Sequence, residues 1–232
     1  MLKNSSGLPE NFVYLSEVDL TIIQDVMYYN DRNFVGQRIN GYKAPKIIMT
    51  NAAALALKAV QQDIKKDNYS LVVCDAYRPV KAVEHFVEWS EDFEDQRMKD
   101  YYYPYISKEE IFELGYVSKK SAHSRGSTID LTIIEIGKEL NTNPECTSRP
   151  LKDGRLIPYF HDNTVDMYSS LDLLDTASGH DNELIDEIYT QNRNYLRQKM
   201  KQYGFIEYSK EWWHYTLENE PYPDQYFDFD VE

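Results

Sequence analysis

The stretch Ser127-Thr-Ile-Asp-Leu-Thr-Ile-Ile-Glu135 decides how this chain is read. Ile129, Leu131 and Ile133 alternate with Asp130 and Thr132, the period of a strand whose two faces meet different surroundings. The spacing predicts a core strand with Asp130 projecting from the face opposite the three apolar side chains.

The same reading extends outward. On the N-terminal side, Asn33 to Tyr42 is rich in turn residues and reads as a loop or hairpin. Thr50-Asn51 opens an Ala/Leu-rich helix to about Lys66, with Leu55, Ala59 and Val60 on one face. Ser70 to Asp75 is a short apolar run, predicted as a buried strand. Pro79 suits the start of a second helix whose apolar side carries Val83, Phe86 and Val87. Ser107-Lys-Glu-Glu110 has the form of a capping box.

On the C-terminal side, residues 136–181 carry turn signals at Asn143-Pro144 and Asp153-Gly154 and little periodicity, which predicts an irregular insertion. A helix follows from Asn182 to Gly204, with Leu184, Ile188, Tyr195 and Met200 inward. Phe205–Tyr208 and Trp212–Leu217 read as paired strands joined by a tight turn. Helices and strands interleave irregularly, so the expectation is one α+β domain spanning 1–232, with a central, mainly antiparallel sheet flanked by helices.

Composition narrows the function. With 232 residues and a formal charge of −14, the chain lacks the basic footprint that nucleic acid requires. No apolar run approaches the ~20 residues that span a bilayer. The start has neither the basic residues nor the apolar stretch of a secretory signal, so a cytoplasmic location is expected. Cys74 and Cys146 are too few for a disulfide framework, and Cys74 reads as a small core residue.

Of the five histidines, His85 reads as structural, and His161 and His180 as surface residues. His123 and His214 differ because each stands in a definite relation to a carboxylate. His123 precedes Asp130 by seven positions, and Glu211 precedes His214 by three. Two imidazoles and a carboxylate form an N/O set that suits Zn²⁺ and leaves a position for water. A strand would place Glu211 and His214 on opposite faces, so both reach one site only if Glu211 lies in the turn before the strand. Arg78, in Asp75-Ala-Tyr-Arg-Pro79, stands where a helix dipole disfavours a cation and needs an anion nearby. That anion is either a fixed partner such as Asp75 or charge developing on a substrate.

Taken together, Asp75-Ala-Tyr-Arg-Pro79, Ser121-x-His123-Ser-Arg-Gly126, Ile129-Asp-Leu-Thr132 and Glu211-Trp-Trp-His-Tyr215 resemble the VanX-like zinc D-alanyl-D-alanine dipeptidases of peptidase family M15. Asn33-Phe-x-Gly36, Gly41-Tyr42, Glu220-Pro-Tyr-Pro-Asp224 and Tyr226-Phe-Asp-Phe229 look like the same family. The resemblance runs from about Tyr14 to the C-terminus.

It implies a Hedgehog/DD-peptidase-like fold with one Zn²⁺ per chain at the sheet face, held by His123, Asp130 and His214. It further implies Glu211 as general base and Arg78 as stabiliser of the oxyanion. Asp172, in Leu171-Asp-Leu-Leu-Asp175, would hold the substrate's free amine, and Ser121 would line the substrate pocket. The implied partner is a small D,D-dipeptide, and a homodimer stays open. Ala122 stands where some relatives have a second serine, and the insertion is longer than in compact members. Two other readings remain: a peptidoglycan D,D-carboxypeptidase or endopeptidase with the same zinc chemistry, and a non-catalytic zinc-binding interaction module. The cluster Tyr101-Tyr-Tyr-Pro-Tyr105 could wall a substrate cavity, although packing explains it as well.

Overall fold

The computed structural model describes residues 7–232. In chain order the strands are β1 (Phe12–Tyr14), β2 (Ile23–Gln24), β3 (Ile48–Thr50), β4 (Tyr69–Asp75), β5 (Thr128–Glu135), β6 (Cys146–Pro150), β7 (Leu156–Phe160), β8 (Phe205–Tyr208) and β9 (Glu211–Leu217). The helices are α1 (Leu15–Val18), α2 (Asn51–Ile64), α3 (Val80–Glu91), α4 (Lys99–Tyr102), α5 (Glu110–Glu113) and α6 (Glu187–Gln202).

A five-stranded sheet in the order β2-β4-β5-β9-β8 forms the centre. Only the short β2–β4 pairing is parallel. The expected α+β architecture with a mainly antiparallel sheet is thus what the chain adopts. In β5, Ile129, Leu131 and Ile133 are completely buried, each worth about 1.5–3 kcal/mol of hydrophobic stabilisation. Helices α2 and α6 pack beside each other and against the sheet. The N-terminus of α2 is capped by Thr50, whose Oγ1 accepts from Ala53 N–H and also contacts Ser127 Oγ at 2.7 Å.

Two sheet irregularities matter later. The β4–β5 register shifts between Val73 and Asp75, so Cys74 is an extra residue and Asp75 pairs with Asp130. The β8–β9 register shifts between Glu207 and Tyr208, so Tyr208 faces Glu211 while Glu207 faces Tyr215. Bulges of this kind re-aim side chains.

Several local expectations are corrected. Leu55 is 52% exposed; at roughly 100° per residue it lies opposite the stripe Ala53, Leu57, Val60 and Ile64. Helix α6 starts at Glu187, and its buried face is Arg193, Leu196 and Met200. Ile188 sits roughly 110° from that face and is exposed. The 136–181 stretch is not wholly irregular, because β6 and β7 form an antiparallel hairpin within it. His180, expected on the surface, is only 1% exposed. The capping box is half realised. Glu110 Oε2 accepts from both Ser107 N–H and Ser107 Oγ, leaving the hydroxyl as a donor rather than a cap.

The C-terminal tail is structural. Phe229 stacks on Tyr77 at 4.0 Å, and Phe227 N–H donates to Ser124 O at 2.8 Å. It thereby straps the turn that carries His123.

Candidate active site

The sheet register does the first part of the assembly. Asp130 and His214 are directly opposed on β5 and β9, and cross-strand neighbours stand about 4.5–5.5 Å apart at Cβ. His123 arrives on the 3-10 turn Ala122–Arg125, whose first N–H groups are met by Ser121 Oγ, accepting from His123 N–H at 3.3 Å. Gly126 ends that turn at φ 84°, where a Cβ would lie 2.3 Å from the Phe12 ring, so only glycine fits.

His123 Nδ1 is 2.7 Å from Ala76 O. A carbonyl only accepts, so this nitrogen carries the proton and Nε2 keeps its lone pair. That Nε2 stands 3.3 Å from His214 Nδ1 and 3.2 Å from Asp130 Oδ2. His214 Nδ1 is 3.1 Å from Asp130 Oδ1, a buried oxygen that makes no hydrogen bond among the described residues. Three electron-pair donors thus converge on one point, an arrangement that could hold a metal ion. Burial, and then the nearby Arg78, lower the pKa of His123 from its ordinary value.

Glu211 opens β9, and its Oε2 is 3.5 Å from His214 Nδ1. The bulge opposite Tyr208 lets two residues three apart share one side, which a regular strand forbids. Burial, then the charges of Asp130 and Asp172, push the Glu211 carboxyl well up from its ordinary value.

Arg78 Nε donates to Asp75 Oδ2 at 2.9 Å, and Nη2 reaches Asp130 Oδ2 at 3.2 Å. Tyr42 donates to the other Asp75 oxygen at 2.6 Å. The guanidinium lies 4.9 Å above the Tyr28 ring. Although burial works against its charge, Tyr28, Asp75, Tyr42 and Asp130 keep it firmly protonated. The salt bridge to Asp75 therefore exists, and the cation still borders the cleft.

Asp172 sits at φ 61°, a left-handed conformation that aspartate tolerates better than most residues. Its Oδ2 accepts from Tyr28 Oη at 2.7 Å. Burial and the Asp130 charge raise its pKa to about 7.

All seven residues singled out in the sequence line one cleft of about 690 Å³: Arg78, Ser121, His123, Asp130, Asp172, Glu211 and His214. Ser121 has a structural task as well, capping the His123 turn. Sequence reasoning missed Tyr28, which orients Asp172 and shields Arg78 but lies in no informative pattern. It also missed Tyr42 as the second clamp on Asp75, although Gly41-Tyr42 stood among the quoted motifs. The tyrosines 101–105 do not line this cleft.

The chain matches the Peptidase_M15 family model, described as D-ala-D-ala dipeptidase, over residues 9–142 and 156–232. It belongs to the M15 peptidase family. It is similar to the D-alanyl-D-alanine dipeptidase of Enterococcus faecalis (strain ATCC 700802 / V583), 38% identical over 224 residues, covering 97% of this chain and 100% of the relative. The D-alanyl-D-alanine dipeptidases of Streptomyces coelicolor (strain ATCC BAA-471 / A3(2) / M145) and Enterococcus faecium are each 37% identical over 221 residues. Those matches cover 95% of this chain and 98% of each relative. As an M15 peptidase the protein is a hydrolase. The unmatched residues 143–155 carry β6 and the turn into β7. Among the described residues no helix is long and apolar enough to cross a membrane.

Proposed function

We propose that this M15 peptidase hydrolyses the free dipeptide D-alanyl-D-alanine to two D-alanines, with one Zn²⁺ held by His123, Asp130 and His214. The observation that carries the reading is the spacing of the donor triangle. The imidazole nitrogens stand 3.3 Å apart, and each lies 3.1–3.2 Å from a different oxygen of the Asp130 carboxylate, Oδ2 towards His123 and Oδ1 towards His214. With one atom from each residue the set lies within 4.8 Å, and tetrahedral bonds of about 2.0–2.1 Å call for neighbouring ligands roughly 3.3–3.4 Å apart. Asp130 Oδ1, buried without a hydrogen bond, gains a partner there. When bound, zinc supplies Lewis acidity and brings the pKa of its water to about 7.

Glu211 stands beside the triangle with its proton affinity raised by burial. It takes the proton of the attacking water and delivers it to the departing amine as the C–N bond breaks. Arg78, fixed by Asp75, directs its charge at the oxygen that becomes negative as the carbonyl is attacked. Asp172, oriented by Tyr28, pairs with the substrate ammonium. A peptide acylated at that nitrogen has no charge to offer, which selects the dipeptide more strongly than the methyl groups do.

The test compares D-Ala-D-Ala with L-Ala-L-Ala and with a peptidoglycan pentapeptide ending in D-Ala-D-Ala, with and without chelator. Cleavage of the D,D-dipeptide alone, abolished by chelation, is expected. Comparable cleavage of the pentapeptide would transfer the assignment to a carboxypeptidase.

A further inference from the structure

A second cavity lies behind the wall of the catalytic cleft and shares no lining residue with it. It comprises a chamber of about 250 Å³ and an inner recess of about 40 Å³, with Asp25, Cys74, Phe160, Asp162, Ser170 and Leu171 common to both. Its outer wall is aromatic: Tyr101 and Tyr102 flank Phe160, with ring centroids 6.3 and 5.7 Å away. Asp25, Asp31 and Asp162 contribute three carboxylates against one cation, Arg32, which pairs with Asp25 at 2.7 Å. Thr132, on the recess wall and 3% exposed, has an Oγ1 that makes no hydrogen bond among the described residues.

The partition between the two spaces is one residue thick. Met27 lines the second cavity and Tyr28 the cleft; Leu171 lines the second cavity and Asp172 the cleft. The cleft sides of these two pairs are joined by the hydrogen bond from Tyr28 Oη to Asp172 Oδ2 at 2.7 Å. The bulge residue Cys74 borders the cavity while its neighbour Asp75 anchors Arg78.

We propose that this second cavity binds a compact organic cation of the alkylammonium type, and that its occupancy alters substrate binding through Leu171-Asp172. Aromatic faces with an excess of carboxylates suit a weakly hydrated cation. A chamber below the usual 300–1,000 Å³ of drug-sized sites limits the ligand to a small one. Thr132 supplies one polar contact at the inner end. The binding half is independent of the catalytic reading; the coupling half rests on Asp172 holding the substrate amine.

The probes are choline and n-butylammonium, with their neutral counterparts 3,3-dimethylbutan-1-ol and n-pentane, the alcohol being the choline isostere. Calorimetric titration of the metal-loaded chain should show saturable binding of both cations, with the alcohol at least tenfold weaker. Tyr101→Ala, at an exposed position, should weaken choline about three- to tenfold. Asp162→Asn, which keeps its acceptor oxygen for Thr164, should weaken it about tenfold. Absence of saturable binding up to 50 mM choline (roughly the weakest affinity still worth calling a site) overturns the proposal. So does equal binding of the isostere, which would mean an apolar pocket only.

For the coupling, D-Ala-D-Ala hydrolysis is measured at saturating choline. KM should change at least threefold with kcat much less affected, and the dipeptide should change choline affinity by the same factor. Cation binding with an unmoved KM overturns the coupling and leaves the catalytic reading standing. An enzyme with no dipeptide hydrolysis at all refutes that reading instead, while calorimetry still decides the site.

Discussion

Replacing Arg78 separates a structural from a chemical role, because the side chain serves both a fixed carboxylate and the cleft. Arg78→Ala leaves Asp75 buried, with Tyr42 as its remaining hydroxyl donor. Breaking a buried pair in this way costs about 3–5 kcal/mol of stability, mostly the penalty of the stranded charge. Losing a donor aimed at an oxyanion costs a further 100- to 1,000-fold in rate, about 2.7–4 kcal/mol of transition-state stabilisation. The two effects part company in the double variant Asp75→Asn/Arg78→Ala. Removing the carboxylate charge removes the stranded ion, so most of the lost stability should return. The rate should not return, because no cation faces the substrate oxygen. Urea unfolding supplies the first measurement, D-alanine release the second, and metal content per chain confirms that the ligand triangle is intact. If the double variant regains both stability and activity, Arg78 is only a structural counter-ion and the proposed oxyanion role is wrong.

Dialysis against a chelator should abolish hydrolysis and lower the thermal midpoint, since whatever binds only the folded state stabilises it; full activity below about 0.1 metal per chain would contradict the site. Gly126→Ala places a Cβ 2.3 Å from the Phe12 ring at φ 84°. Left-handed backbone and overpacking together should cost about 2–5 kcal/mol in urea unfolding and loosen metal retention by displacing the His123 turn; a loss under about 1 kcal/mol would show that the turn tolerates a side chain. His180 supplies a pH dependence. Burial first, then Arg197 and Arg193, lower its pKa to about 4, against about 6.5 in an unfolded chain. The unfolded state therefore takes up the proton first. The stability tied to neutral His180 is complete above pH 6.5 and falls by about 3 kcal/mol towards pH 4. Comparing urea midpoints of the parent and His180→Leu across that window isolates the effect, and parallel curves would refute it.

What the sequence made legible was periodic or clustered. Alternation in β5 announced both the buried Ile129-Leu131-Ile133 face and the opposed Asp130. The motifs around His123 and His214 named the candidate ligands, although only the β5–β9 register explains why Asp130 and His214 meet. Glu211 was legible as a residue type but not as a position: strand periodicity sends it away from His214, and a bulge in the β8–β9 pairing brings it back. Bulges leave no periodic trace. Tyr28 was invisible because its relation to Asp172 spans 144 positions of chain and depends on a left-handed residue in an aperiodic loop. His180 was misread because isolated polarity suggests exposure, whereas its backbone N–H donates to Ser209 O and the ring is held inside, 6.0 Å from Tyr215.

The opposition of Asp130 and His214 carries one more consequence. Sliding β9 by a single residue against β5 would present Trp213 or Tyr215 to Asp130, and neither offers a nitrogen lone pair. A cation therefore rewards one alignment of these two strands and ignores its neighbours. Metal capture would act as a proofreader during folding, fastening the sheet only after its ladder has formed in the right frame.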